Sequence, residues 1–271
     1  MPAENAISLQ DLTVYFHKDD VRITAVSGVS FDVPRHGFVS IIGPSGCGKS
    51  TILNCVAGLE RPSKGVAFSG GKEVKGPNTD VGYLTQRDAL LPWRTVMENV
   101  RLPFEVRGSF SRLRRGGNED VAQNVQAAID LVGLRGFENH YPNELSGGML
   151  KRASLAQMFA ASRDVVLMDE PFGALDAQLK LQMHGELMRI WHETKFSAMF
   201  VTHDLEEAIA LSDIIIMLAA RPGRIKRVIE IDLPRPRDPV EIRFEDRFRA
   251  YHEEIWSEME TPAIVGEEAK V

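Results

Sequence analysis

The chain has 271 residues, 44% hydrophobic and 26% charged, a globular mix that excludes global disorder and low-complexity polymers. Its 32 basic and 38 acidic residues leave a formal charge of -6, which gives no overall electrostatic reason to bind nucleic acid. Cys47 and Cys55 form neither a disulfide framework nor a paired metal motif, and no run reaches the roughly 20 apolar residues needed to span a bilayer. The start, MPAENAISLQ, lacks the basic and apolar segments of a signal peptide. A reducing compartment is expected, and any membrane role is expected to come through a partner.

In chain order, the stretches 7–16 and 23–33 carry the β-branched and aromatic residues of strands, and Phe38–Ile42 is a short apolar strand ending at Gly43. GPSGCGKST follows, and then a helix on which Ile52, Leu53, Val56 and Leu59 share a face. Residues 65–84 return to short strands broken by Gly70-Gly71 and Gly76-Pro77. Residues 97–161 read as mostly helical, interrupted by the basic loop RGSFSRLRRGGNED from Arg107 to Asp120. Two further apolar strands end in Asp169-Glu170 and in His203-Asp204. Polar groups gathered at the carboxyl ends of apolar strands are the habit of open α/β sheets that bind ligands there. After Pro234-Arg235-Pro236-Arg237, the residues Phe244, Phe248, Tyr251, Ile255 and Met259 form one helical stripe, which either docks on its own domain or makes a regulatory or dimer contact.

The segment Gly43-Pro44-Ser45-Gly46-Cys47-Gly48-Lys49-Ser50 fits the phosphate-loop pattern between a strand and a helix. Small residues let backbone N–H groups curl round phosphates, and the helix N-terminus adds its positive dipole end. Lys49 reaches the outer phosphates, and the Ser50 hydroxyl can ligate Mg²⁺. Cys47 is read as a small residue suited to a tight turn, with a redox role as the alternative. At the next strand end Asp169 would join the Mg²⁺ shell and Glu170 would polarise the attacking water. His203 is a candidate sensor of the outer phosphate. Ser146-Gly147-Gly148 offers free N–H groups at another helix start, either a plain N-cap at Ser146 or a second anion site.

With these motifs in this order, the chain resembles the ATP-binding subunit of an ABC transporter over about residues 7–235. GPSGCGKST, Gly43 through Thr51, is similar to that family's Walker A loop, and Gln86 in LTQRD to its Q-loop. Ser146, Gly147 and Gly148 in LSGGM match the signature, VVLMDE the Walker B strand, Gly173-Ala174-Leu175-Asp176 the D-loop, and His203 the switch histidine. The resemblance implies an α/β P-loop NTPase core with an antiparallel β subdomain and an inserted α-helical subdomain at about 90–161. Residues 1–235 would form the ATP-binding domain and 236–271 a helical tail. It also implies that Phe16 stacks on adenine, with Tyr15 as the alternative.

The same resemblance implies ATP and Mg²⁺ as cofactors, with Ser50, Gln86 and Asp169 on the metal. Glu170 would be the base, His203 and Lys49 would stabilise charge, and Gln86 would link nucleotide to the membrane partner. With Asp176 beside it, the signature of one copy would close over the ATP of another, so a second ATP-binding subunit, here a homodimer, is expected. Integral membrane permease subunits and, indirectly, a solute-binding protein complete the set of partners, with no nucleic acid, at the cytoplasmic face of the inner membrane. QRDALLPWRTVMENV, Met149, MDEPFGALDA and Arg221-Pro222-Gly223-Arg224-Ile225 resemble the importer group for nitrate, sulfonate, taurine, bicarbonate or thiamine precursors. The basic loop is longer than that group leads one to expect, and reads as a solvated loop or as a contact for anionic lipid headgroups. Competing classes are a soluble module acting in DNA repair or on ribosomes, and a nucleotide switch without turnover.

Overall fold

A computed structural model describes residues 5–19, 21–86, 89–107, 118–160, 163–173, 175–220 and 222–260. Most of the basic loop, together with Arg87, Asp88, Ala174 and Arg221, lies outside the described residues. In chain order the strands and α-helices are β1 (Asn5–Lys18), β2 (Val21–Pro34), β3 (Phe38–Ile42), α1 (Lys49–Ala57), β4 (Lys64–Ser69), β5 (Lys72–Glu73) and β6 (Val81–Leu84). Then come α2 (Val96–Arg107), α3 (Asn118–Leu131), α4 (Gly147–Ala160), β7 (Val165–Asp169), α5 (Ala177–Thr194) and β8 (Ser197–Val201). The chain continues with α6 (Leu205–Leu211), β9 (Ile214–Ala219), β10 (Arg224–Glu230) and α7 (Asp246–Glu260). Among the described residues no helix is long and apolar enough to cross a membrane.

Two compact units emerge, the first from Met1–Asn78 with Val201–Val271, the second from Thr79–Phe200. In the first, β2, β1, β4 and β5 form an antiparallel sheet in that order. Along β1 the most deeply buried positions are Ile7 and Leu9, then Leu12 and Val14, a change of parity in a structure whose side chains alternate strictly. A register shift between Leu9 and Leu12 explains it: Asp11 takes φ 50 and its N–H donates to Ser30 Oγ at 2.8 Å, so the extra residue turns the strand over while keeping one face on the core. The same unit holds β3 parallel to β9, and β10 antiparallel to β9. All five residues of β3 are buried, as expected of a strand covered on both faces.

Helix α1 stops at Ala57 because Gly58 adopts φ 70, and its N–H donates to Cys55 O at 3.2 Å. Leu59 therefore leaves the apolar face on which its spacing places it and is exposed. At the other end of the chain the apolar stripe also loses its first member. Phe244 sits in a one-turn 3-10 helix, Glu245 is extended, and only then does α7 begin, with Phe248 and Ile255 buried.

In the second unit β6 runs parallel to β7, pairing Leu84 with Met168, and α2, α3 and α4 pack on one another. Thr95 and Glu98 form a reciprocal cap at the start of α2: the Thr95 N–H donates to Glu98 Oε2 at 2.8 Å and the Glu98 N–H to Thr95 Oγ1 at 3.3 Å. Asn99, fully buried, accepts from the Leu91 N–H and donates to the carbonyls of Leu91, Arg94 and Thr95. That side chain gives the Leu91–Thr95 turn its shape and leaves Trp93 exposed.

Candidate functional site

In the first unit β3 delivers the chain into the phosphate loop. Gly43, Gly46 and Gly48 hold φ values of 152, 76 and 94, a region costly for any residue with a Cβ. A Cβ at Gly43 would lie 2.8 Å from Leu218 O, and one at Gly48 would lie 2.5 Å from Val26 Cγ2. Glycine is thus required at both positions by close packing as well as by backbone angle. Pro44, Ser45 and Gly46 form an exposed crest, and nothing lies within 4 Å of where a Gly46 Cβ would stand.

Behind the crest Lys49 is buried, its Nζ donating to Gly43 O at 2.7 Å and to Pro44 O at 3.1 Å. Gly48 caps α1 without a side-chain hydrogen bond, so the first N–H groups of the helix are left for a ligand. An open crest, an uncapped helix N-terminus and an adjacent ammonium fit a polyphosphate. Ser50 is exposed and Thr51 half-buried on the first turn of α1.

Cys47 is completely buried. Burial pushes its thiol up from the usual range, against the opposing pull of the Lys49 ammonium. Cys55, further along α1, is pushed up to about 12 by burial and by Glu60. Phe16 is exposed near the end of β1 opposite Ile23, whereas the Tyr15 ring lies under the Arg22 guanidinium, 4.1 Å from its centroid. His203 is exposed just after β8, and the Asp204 carboxylate caps α6 by accepting from the N–H groups of Glu206 and Glu207.

The second unit holds the carboxylates. Asp169 is the buried last residue of β7, while Glu170 leaves the strand at φ 47 and is half-buried. The divergence expected from strand alternation is therefore reinforced by a left-handed turn, an uncommon conformation outside glycine that is found often at functional sites. Gln86 Nε2 donates to Glu170 Oε2 at 3.5 Å, so these two side chains meet within this unit. The backbone carbonyl of Gln86 also accepts from the buried Lys151 Nζ at 3.4 Å, as Thr85 O does at 3.3 Å. Tyr83 on β6 has its phenol raised above the usual range by burial and by the Asp169 carboxylate.

At the start of α4 the Met149 N–H donates to Ser146 Oγ at 3.4 Å, a weak N-cap, and the space beside Gly147 is open. A Cβ at Gly148 would stand 2.9 Å from Leu179 Cδ2. Asp176 caps α5, accepting from the Leu179 N–H at 3.0 Å.

Gly223, noted in the sequence only as part of a stretch that resembles the importer group, has a structural role that the sequence reading did not give it. Its N–H donates to Ala25 O and its carbonyl accepts from the Ser27 N–H, both at 2.9 Å, and a Cβ there would lie 2.0 Å from Cys47 O. Beside that resemblance, the local signal for a turn is the Pro222-Gly223 pair.

A family model described as ABC transporter matches residues 26–173. An uncharacterized ABC transporter ATP-binding protein of Methanocaldococcus jannaschii is 43% identical over 238 residues, covering 88% of this chain and 86% of that one. An aliphatic sulfonates import ATP-binding protein of Bacillus cereus is 37% identical over 231 residues, covering 85% and 88%. Among solved structures, the dimeric post-hydrolysis state of the ATP-binding cassette MJ0796, bound to ADP and Pi, superposes with a TM-score of 0.75 at 27% identity, covering 84% of this chain and all of that one.

Proposed function

Since the chain belongs to the ABC transporter family, as an ATP-hydrolysing cassette of the kind that dimerises and works with membrane permease subunits, we propose that it powers uptake of a small solute. The observation that carries this reading is the phosphate loop, where Lys49 and the uncapped start of α1 converge beneath an open glycine crest. The cargo is assigned to the sulfonate, nitrate, taurine, bicarbonate or thiamine-precursor class, with aliphatic sulfonates favoured by the relatives of that name. Its working place is the cytoplasmic face of the inner membrane, held there by the permease, with a solute-binding protein delivering cargo from the other side.

The residue roles follow from their chemistry. The loop from Gly43 to Thr51 holds the phosphates through its backbone N–H groups, Pro44 having none, with Ser45 beside them, and Lys49 offsets their charge. Phe16 presents a ring face to adenine. Ser50, Gln86 and Asp169 offer the hydroxyl, amide and carboxylate oxygens that suit Mg²⁺, which when bound neutralises phosphate charge. Glu170 orients and accepts a proton from the attacking water, and His203 donates to the γ-phosphate oxygens as charge builds there. Ser146, Gly147, Gly148 and Asp176 of one copy face the nucleotide of a second copy, in a homodimer.

The test is purification of the tagged chain from its native membranes in mild detergent. A polytopic partner co-purifying with vanadate-sensitive ATPase activity is expected, and loss of the uptake of one solute class on deletion of the gene would name the cargo. Recovery with ribosomes or DNA alone would overturn the reading.

A further inference from the structure

Helix α6 spans only Leu205–Leu211, yet its start lies two residues after His203. At that end, the Thr202 N–H donates to Ile41 O at 3.3 Å, and the Thr202 hydroxyl donates to Glu207 Oε2 at 2.5 Å while accepting from the Asp204 N–H at 3.0 Å. The backbone on both sides of His203 is thereby tied to β3 and to the first turn of α6. At the far end, the last carbonyls of any helix lack internal partners and carry its negative dipole end. Here they are taken up by the segment that follows β10.

Arg237 is buried, and all five of its N–H groups go to carbonyls. Its Nη1 donates to Ile209 O at 3.2 Å and to Ser212 O at 2.6 Å, Nη2 to Ile231 O at 3.1 Å and Leu233 O at 2.9 Å, and Nε to Leu233 O at 3.3 Å. Arg235 adds Nη2 to Leu211 O and Nε to Asp213 Oδ1, both at 2.7 Å. Arg243, from the 3-10 turn, pairs with Glu206 Oε2 at 2.7 Å on the first turn of α6, and α7 packs along α6 behind it. The short helix is thus gripped at both ends and along one side by a single stretch of chain.

We propose that the segment from Pro234 through α7 is a brace that sets the position of His203 by fixing α6, with Arg237 as its central positioning residue. The carboxyl-terminal part of the chain would then tune hydrolysis without touching nucleotide. This inference rests on the reading of His203 as the group that contacts the γ-phosphate. A displacement of about 1 Å in such a group is enough to cost on the order of a hundredfold in rate, so a loosened α6 should appear in kcat.

The experiment measures kcat and ATP affinity of the full chain for Arg237→Met, Arg237→Lys and Arg243→Gln, each alone and combined with His203→Ala, at temperatures where circular dichroism reports native helix. The expected result is a fall in kcat of roughly tenfold for Arg237→Met and threefold for Arg243→Gln, a partial return for Arg237→Lys, and ATP affinity unchanged within about twofold. In the His203→Ala background the same substitutions should produce no further loss, because their effect passes through the missing side chain. Wild-type kcat in the arginine variants, or equal losses with and without His203, would overturn the brace. Should Arg237→Met fail to fold, the more exposed Arg243→Gln decides the question by the same comparison. Wild-type kcat in His203→Ala alone would instead overturn the γ-phosphate reading on which the brace depends.

Discussion

Lys49 illustrates how much one side chain depends on the backbone beneath it. Its ammonium is held at 2.7 Å by Gly43 O, and that carbonyl is in place because Gly43 alone can pass close to Leu218. Cys47 in the same loop gives a test of local electrostatics. Its thiol is pushed up by burial, so at pH 8 less of it is thiolate than in a free cysteine, and iodoacetamide should label it slowly. Labelling should accelerate as pH rises past 9, Cys55 should follow only nearer its value of about 12, and ATP should slow the first step, all readable by peptide mass spectrometry. The sign for stability is the same: both thiols ionise less readily folded than unfolded, so their contribution is full below the unfolded pKa and is lost as pH climbs through the folded one. Glu170→Gln should abolish steady hydrolysis while ATP binding persists, as checked by phosphate release and nucleotide titration; undiminished turnover would remove the residue from the role of base.

Elements here are shaped by where they must stop or turn as much as by periodicity. The bulge at Asp11 lets one long strand keep its apolar face inward, Gly58 ends α1 before Leu59, and Asn99 sculpts the turn that presents Trp93. The turn at Gly223 belongs to this class, since it rests directly on the phosphate loop. Gly223→Ala would drive a Cβ against Cys47 O. We expect a loss of about 1–3 kcal/mol in stability from the overpacking, together with at least tenfold weaker ATP binding as the loop shifts. Thermal unfolding and nucleotide titration check the two effects separately, and unchanged ATP affinity would mean that the loop absorbs the methyl without moving.

For the molecule as a whole, the proposed homodimer would bring together two copies of each motif, which the chain carries once. Glu170→Gln with ATP should therefore run as a dimer in size-exclusion chromatography with light scattering, and as a monomer with ADP; a monomer under both conditions would point to a different sister subunit. The sequence by itself determined the strand, glycine loop and helix around GPSGCGKST, the acidic pair at the end of β7, the histidine after β8 and the family. These depend on residue type at short spacing, which a linear text preserves. Only the tertiary structure decided that Asp176 caps α5, that Gln86 meets Glu170, that Gly223 supports residue 47 from far along the chain, and that Arg237 closes the end of α6. Hydrogen bonds and close approaches between residues tens of positions apart arise from folding of the backbone, and no local pattern of side chains encodes which carbonyl a buried guanidinium will find.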